Sequence, residues 1–253
     1  MAKRRGTGEA GRVHEKVCDD LYAAFLRWED REAEYFERSR GEFERAVKPL
    51  VYRKRGATMN EITQMNLAYT EWFMFEFSMT AGMTPVELYL SELEEKRAAG
   101  NAAEAEGGIS AAGLSERILR LYDVCLTQRF SRFAIADKWP EEGRLRLVDL
   151  RTGKEQVVFD PVSSRCRRWR DGTLAVRIAR VGGLWISVGK TALYDRSSYE
   201  VLSGEGPGER GEGAADERGR LLPSSGSYFL DLLRDVAGAD SPISHTLRVR
   251  CAR

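Results

Sequence analysis

The sequence lacks any apolar run near the roughly 20 residues needed to cross a bilayer, and its basic start, Met1 to Arg12, leads into no apolar segment. Neither a membrane anchor nor a signal peptide is expected. Closely spaced cysteines are missing as well. Cys18, Cys125, Cys166 and Cys251 stand alone, with no CxxC or CxC pair to hold a metal or a redox disulfide, which points to reduced thiols in the cytoplasm. Histidine is scarcer still. His14 falls at the polar start of a helix and His245 in the run Ile243 to Val249, neither with a convincing set of Cys, Asp and Glu at ligand spacing. No metal site and no cofactor is expected. Val188-Gly189-Lys190-Thr191 carries Leu184 where a phosphate-binding GxxxxGK[ST] loop needs its first glycine, which excludes that route to nucleotide hydrolysis.

Net charge is also small, with 40 Lys plus Arg against 39 Asp plus Glu in 253 residues. The balance hides a gradient. Residues 128–200 hold 15 basic and nine acidic side chains, whereas the segments on either side are mildly acidic. Two stretches rich in Gly and Glu, Ala98 to Gly108 and Ser203 to Gly219, have almost nothing to bury and read as linkers. They divide the chain into a helical region (1–127), a strand-rich region (128–200), a disordered insert (201–222), and a C-terminal helix and tail (223–253).

Spacings of three and four among Val17, Leu21, Phe25, Trp28, Tyr35 and Phe36 predict one long amphipathic helix from Glu15 to about Arg38. Thr58 with Glu61 three residues later is a capping-box signature. The helix it opens is so rich in Met, Trp and Phe up to Phe77 that it must be largely buried. Thr84-Pro85-Val86-Glu87 repeats the signature with Pro at the first helical position and predicts a helix to about Lys96. Ser110 or Ser115 can cap another, carrying Ile118, Leu121 and Cys125 on one side. Near residue 130 the period shortens. Phe133 and Ile135, Leu145 to Val148, Val157 to Phe159, Leu174 to Ile178 and Leu184 to Val188 read as strands. Turn signals at Glu142-Gly143, Thr152-Gly153, Asp171-Gly172 and Gly182-Gly183 separate them. The expected fold is α+β: N-terminal helices, then a small five-stranded β-barrel of SH3-like or OB-like type, then a helix near Tyr228 to Val236.

The segments Glu71–Phe77, Gly82–Leu90, Arg129–Phe133, Val148–Glu155 and Val181–Trp185 together resemble a family of uncharacterised bacterial proteins, over about residues 60–190. Some members carry a zinc motif like that at the C-terminus of SecA. The cysteine and histidine cluster of that motif is absent here, so the resemblance implies no metal or SecA-related role, and it offers no catalytic residue.

Chemistry-bearing residues concentrate in Arg165-Cys166-Arg167-Arg168-Trp169-Arg170. Guanidinium forks pair with phosphates and an indole stacks on bases, so Arg165, Arg167, Arg168, Trp169 and Arg170 are candidate nucleic-acid contacts. Arg144, Arg146, Arg177 and Arg180, on or beside predicted strands, join them. Against this stands a general bias, 32 arginines to eight lysines across the chain. Carboxylate pairs such as Glu94-Glu95 and Glu141-Glu142 sit in polar stretches and read as surface charge. Three functions stay open: a non-catalytic protein-interaction or adaptor module with an unknown protein partner, binding of RNA or single-stranded DNA through the basic segment, and a thiol-dependent enzyme using Cys166, whose thiol four arginines could activate. No catalytic residue is assigned.

Overall fold

A computed structural model describes residues 8–29, 33–53, 55–100, 110–196 and 227–239. The linker expected at Ala98 to Gly108 falls mostly outside these residues, and the insert at 201–222 entirely so, as do His245 and Cys251.

Two helices, α1 (Glu9–Glu29) and α2 (Ala33–Val47), stand where the apolar spacing predicts one. The two halves of that pattern face different neighbours. Val17, Leu21, Ala24 and Trp28 of α1 are buried, and the Trp28 indole donates to the Pro85 carbonyl oxygen at 3.1 Å. Phe36 of α2 instead stacks on Phe73, their ring centroids 4.7 Å apart. Both capping boxes form as expected. Thr58 and Glu61 open α3 (Met59–Phe75), and Thr84 and Glu87 open α4 (Pro85–Ala98), with Pro85 at the first position. Ser110 rather than Ser115 caps α5 (Ala111–Thr127). Asp20 of α1 ties α5 down by accepting from Arg117 Nε at 2.9 Å and Arg120 Nε at 2.7 Å.

Five strands follow: β1 (Arg129–Trp139), β2 (Arg144–Asp149), β3 (Glu155–Phe159), β4 (Thr173–Val181) and β5 (Leu184–Asp195). The pairing runs β1-β2-β3-β5-β4 and returns from β4 to β1, so the sheet closes on itself. Its seams are unequal. Antiparallel pairs join β1 to β2, β2 to β3 and β4 to both β1 and β5, whereas β3 meets β5 in parallel at only Val158–Trp185 and Phe159–Ile186. Between β3 and β4 lies the short helix α6 (Pro161–Arg165), capped by the Asp160 carboxylate on the amides of Val162 and Ser163. A last helix, α7 (Tyr228–Ala237), starts at the Ser227 cap and buries Phe229 and Leu233.

Alternating side chains serve two cores. Phe133, Leu145, Leu147, Val158, Leu174 and Ile178 fill the inside of the closed sheet. Phe130, Ala175, Ala179, Ile186 and Leu193 point outward, into an apolar cluster shared with α1 to α5 and α7. The aromatic helix α3 packs against β5, so helices and strands share this cluster.

Candidate anion-binding cleft and a buried arginine node

The arginine-rich loop after α6 is held from below. Lys138, near the end of β1, donates from Nζ to the carbonyl oxygens of Cys166 at 2.8 Å and Trp169 at 2.6 Å. Arg165 Nε reaches the Pro140 carbonyl oxygen at 3.3 Å, linking the loop to the β1–β2 turn. Burial, with Arg170 close by, holds the Lys138 ammonium below its ordinary range, while Cys166 and Asp160 pull it back up. Between turn and loop opens a cleft of about 750 Å³, lined by Lys138, Arg165, Arg167 and Arg170, with Asp137 and Glu141 among its other walls. Ser164, 1 % exposed, also lines it, and its Oγ is buried without a hydrogen-bond partner among the described residues. Convergent cations plus an unfilled hydroxyl form a setting for an anion with several acceptor oxygens.

Two of the residues expected on this surface are elsewhere. Trp169 is 6 % exposed and stacks on Tyr194 with centroids 5.3 Å apart, so its ring packs against the core inside the sheet and is no platform for a base. Arg177 is 2 % exposed, because its strand position faces the helical core. Arg168 is exposed but does not line the cleft. Arg144 and Arg146, on the outer face of β2, are already paired: Arg144 with Glu142 at 3.3 Å, Arg146 with Glu155 at 3.6 Å and Asp137 at 3.9 Å. Arg180 lies by the β4–β5 turn. Arg165, Arg167 and Arg170 are thus brought together, with Lys138, which the sequence reading missed because its strand gives no sign of what lies beneath the loop.

Arg177 instead anchors a buried polar node. Opposite it, β5 bulges by three residues, since Val176 pairs with Ala192 and Ile178 with Ser187, leaving residues 188–191 facing Arg177 alone. The bulge takes the Lys190 and Thr191 amides off the ladder, and both donate to Glu71 Oε2, at 2.8 and 2.7 Å. Arg177 donates from Nε to Glu71 Oε1 at 3.0 Å, from Nη1 to Gln128 Oε1 at 2.6 Å, and from Nη2 to Glu76, which also accepts from Ser227 Oγ. Phe75, Phe130 and Phe229 pack around the guanidinium at 4.9 to 5.7 Å. Burial pushes the Glu71 carboxyl up from its ordinary range, opposed by Arg177 and the Thr191 amide. Gly189 is required by this approach, because a Cβ there would lie 2.7 Å from both Glu71 oxygens. The sequence signal was Glu71 itself, an acid inside an otherwise apolar helical run.

Among the described residues, Cys18, Cys125 and His14 are placed apart from the cleft loop that carries Cys166. Cys18 and His14 lie one turn apart on α1, Sγ to Nε2 3.9 Å, with Ser187 Oγ 3.5 Å from the same nitrogen. Burial raises the Cys18 thiol and lowers the His14 imidazole from their ordinary values. No group of three or more His, Cys, Asp or Glu side chains suited to a metal occurs among the described residues, and no described helix is long and apolar enough to cross a membrane. Compared with known proteins, the chain matches no family model, no curated protein and no solved structure.

Proposed function

We propose that the protein is a non-catalytic binding module for single-stranded nucleic acid, RNA or DNA, held through its phosphates. The observation that carries this reading is the convergence of Lys138, Arg165, Arg167 and Arg170 on one cleft, with the Ser164 hydroxyl unfilled. The strand order, with its short parallel β3–β5 seam, supports an OB-like rather than an SH3-like barrel, a partly open Greek-key type that offers single strands a face and neighbouring loops. Such an analogy of fold adds to the reading and does not carry it. With Trp169 buried, affinity at the cleft comes from charge pairing, and sequence preference there is weak.

The test is binding of mixed single-stranded RNA and DNA oligonucleotides at low and moderate salt, beside a variant with Arg165, Arg167 and Arg170 changed to Ser. Affinity is expected to fall as salt rises, and the log–log slope to flatten by about 2 in the variant. No binding at low salt, or equal binding by the variant, would sink the reading.

One observation favours a second reading, a protein-interaction module. Leu119, Tyr122 and Leu126, three, four and seven apart on the outward face of α5, are 63 %, 52 % and 51 % exposed. A partner held there would tolerate salt, because the contact is apolar. The thiol-enzyme reading gains no such support. The ring of His14, the one described histidine, contacts Cys18, Ser187 and Phe159 and not Cys166.

A further inference from the structure

A second cavity, of about 350 Å³, opens where the parallel seam ends, between the start of β3 and the β4–β5 turn. Trp185, Phe159, Val157 and Leu184 make its apolar walls, with Arg144 and Glu155 also lining it. Among the described residues Gln156 is the one lining side chain that is both polar and buried: it is 8 % exposed, and its Oε1 has no hydrogen-bond partner among them. Over the half-buried Trp185 ring, at 4.9 Å, lies the Arg129 guanidinium, whose Nε is ion-paired with Asp149 Oδ2 at 3.5 Å. Native proteins rarely leave a buried acceptor such as the Gln156 oxygen unfilled, and one on a side chain that lines a cavity asks for a donor.

The walls narrow the choice of ligand. The volume sits at the low end for small-molecule sites, too small for a helix or a folded partner. An aliphatic ligand would leave the Gln156 oxygen unfilled. A flat ring with an N–H on its edge satisfies both features, since its face packs on the indole while its edge donates to the amide oxygen. Pro140 and Glu141 line the phosphate cleft, and Arg144, three residues beyond Glu141, lines this cavity, so the β1–β2 turn joins the two along the chain.

We propose that this cavity is a base-binding pocket, in which one unstacked nucleobase packs against Trp185 and donates an N–H to Gln156 Oε1. The proposal rests on the nucleic-acid reading and adds what the cleft lacks, contact with the base itself. Its test uses ligands without phosphate. The full-length protein is titrated calorimetrically with adenosine, cytidine, guanosine and uridine at low and high salt, with an oligonucleotide titration in parallel. At least one nucleoside is expected to bind with little dependence on salt, about tenfold more weakly to Gln156→Leu and to Trp185→Ala. Because Gln156→Leu removes an orphan polar atom, it keeps or raises the melting temperature, and lost binding there cannot be lost folding. Failure of all four nucleosides overturns the pocket, as does unchanged binding by Gln156→Leu. The oligonucleotide titration shows whether the cleft reading falls with it or stands alone.

Discussion

Arg167 and Arg177 lie ten positions apart and meet opposite environments. Arg167 stands in solvent on the rim of an open cleft, in a loop whose main chain is pinned by Lys138. Arg177 is enclosed by three aromatic rings and satisfied by Glu71, Glu76 and Gln128. The difference shows that the basic excess of residues 128–200 is two things at once: charge exposed to solvent, and charge that holds helices to strands. A count of charges along the chain cannot separate them, because Arg177's acidic partners lie on α3 and the turn after it, more than 100 positions away.

The contrast breaks most sharply at Arg177. Arg177→Met leaves Glu71 buried without its cation, and urea denaturation is expected to show a loss of about 3–5 kcal/mol; a loss near zero would mean that the node is not what joins the two halves. Trp169→Ala comes next, at about 3 kcal/mol by thermal unfolding, the cost of emptying a packed aromatic site. A change well under 1 kcal/mol would return the indole to the surface and to the nucleic-acid face. A smaller effect is expected at His14. Burial lowers its pKa, so as pH falls the unfolded chain binds the proton first, and stability declines from the ordinary histidine range down toward the lowered value. Unfolding midpoints across that window should therefore fall more steeply in the wild type than in His14→Phe; parallel curves would contradict it. Smallest of all is the effect of changing Arg165, Arg167, Arg168 or Arg170 to Ser, expected to alter stability by no more than about 0.5 kcal/mol per site. Larger losses would make the rim arginines structural, like Arg177.

Much of the fold was legible because its signals are local. Thr58 with Glu61 and Thr84 with Glu87 fix helix starts through contacts three residues apart, and Gly143, Gly153, Gly172, Gly182 and Gly183 all take the positive φ that marks their turns. The division of the first apolar pattern into α1 and α2 was not legible, since both halves keep helical spacing and only their tertiary neighbours differ. The candidate site divides in the same way. Arg165, Arg167 and Arg170 were found by composition, but Lys138, Ser164, Gln156 and Trp185 acquire meaning only when β1, α6, β3 and β5 come together. The failed Walker match at Val188-Gly189-Lys190-Thr191 carried real information of another kind. Its glycine and amides embrace a carboxylate, that of Glu71, rather than a phosphate.

The node at Arg177 also bears on the order in which the molecule assembles. Its bonds close loops of 106 residues to Glu71 and 101 to Glu76, and the Glu76–Ser227 bond closes one of 151. Closures of that length are entropically costly and are rewarded only after α3, β4 and β5 are already in register. The node is therefore expected to close late, after the folding barrier has been crossed. Its energy then acts on escape from the native state: stopped-flow measurements on Arg177→Met should find refolding nearly as fast as in the wild type and unfolding greatly accelerated. The buried arginine works as a latch, setting how long the assembled protein persists rather than how quickly it forms.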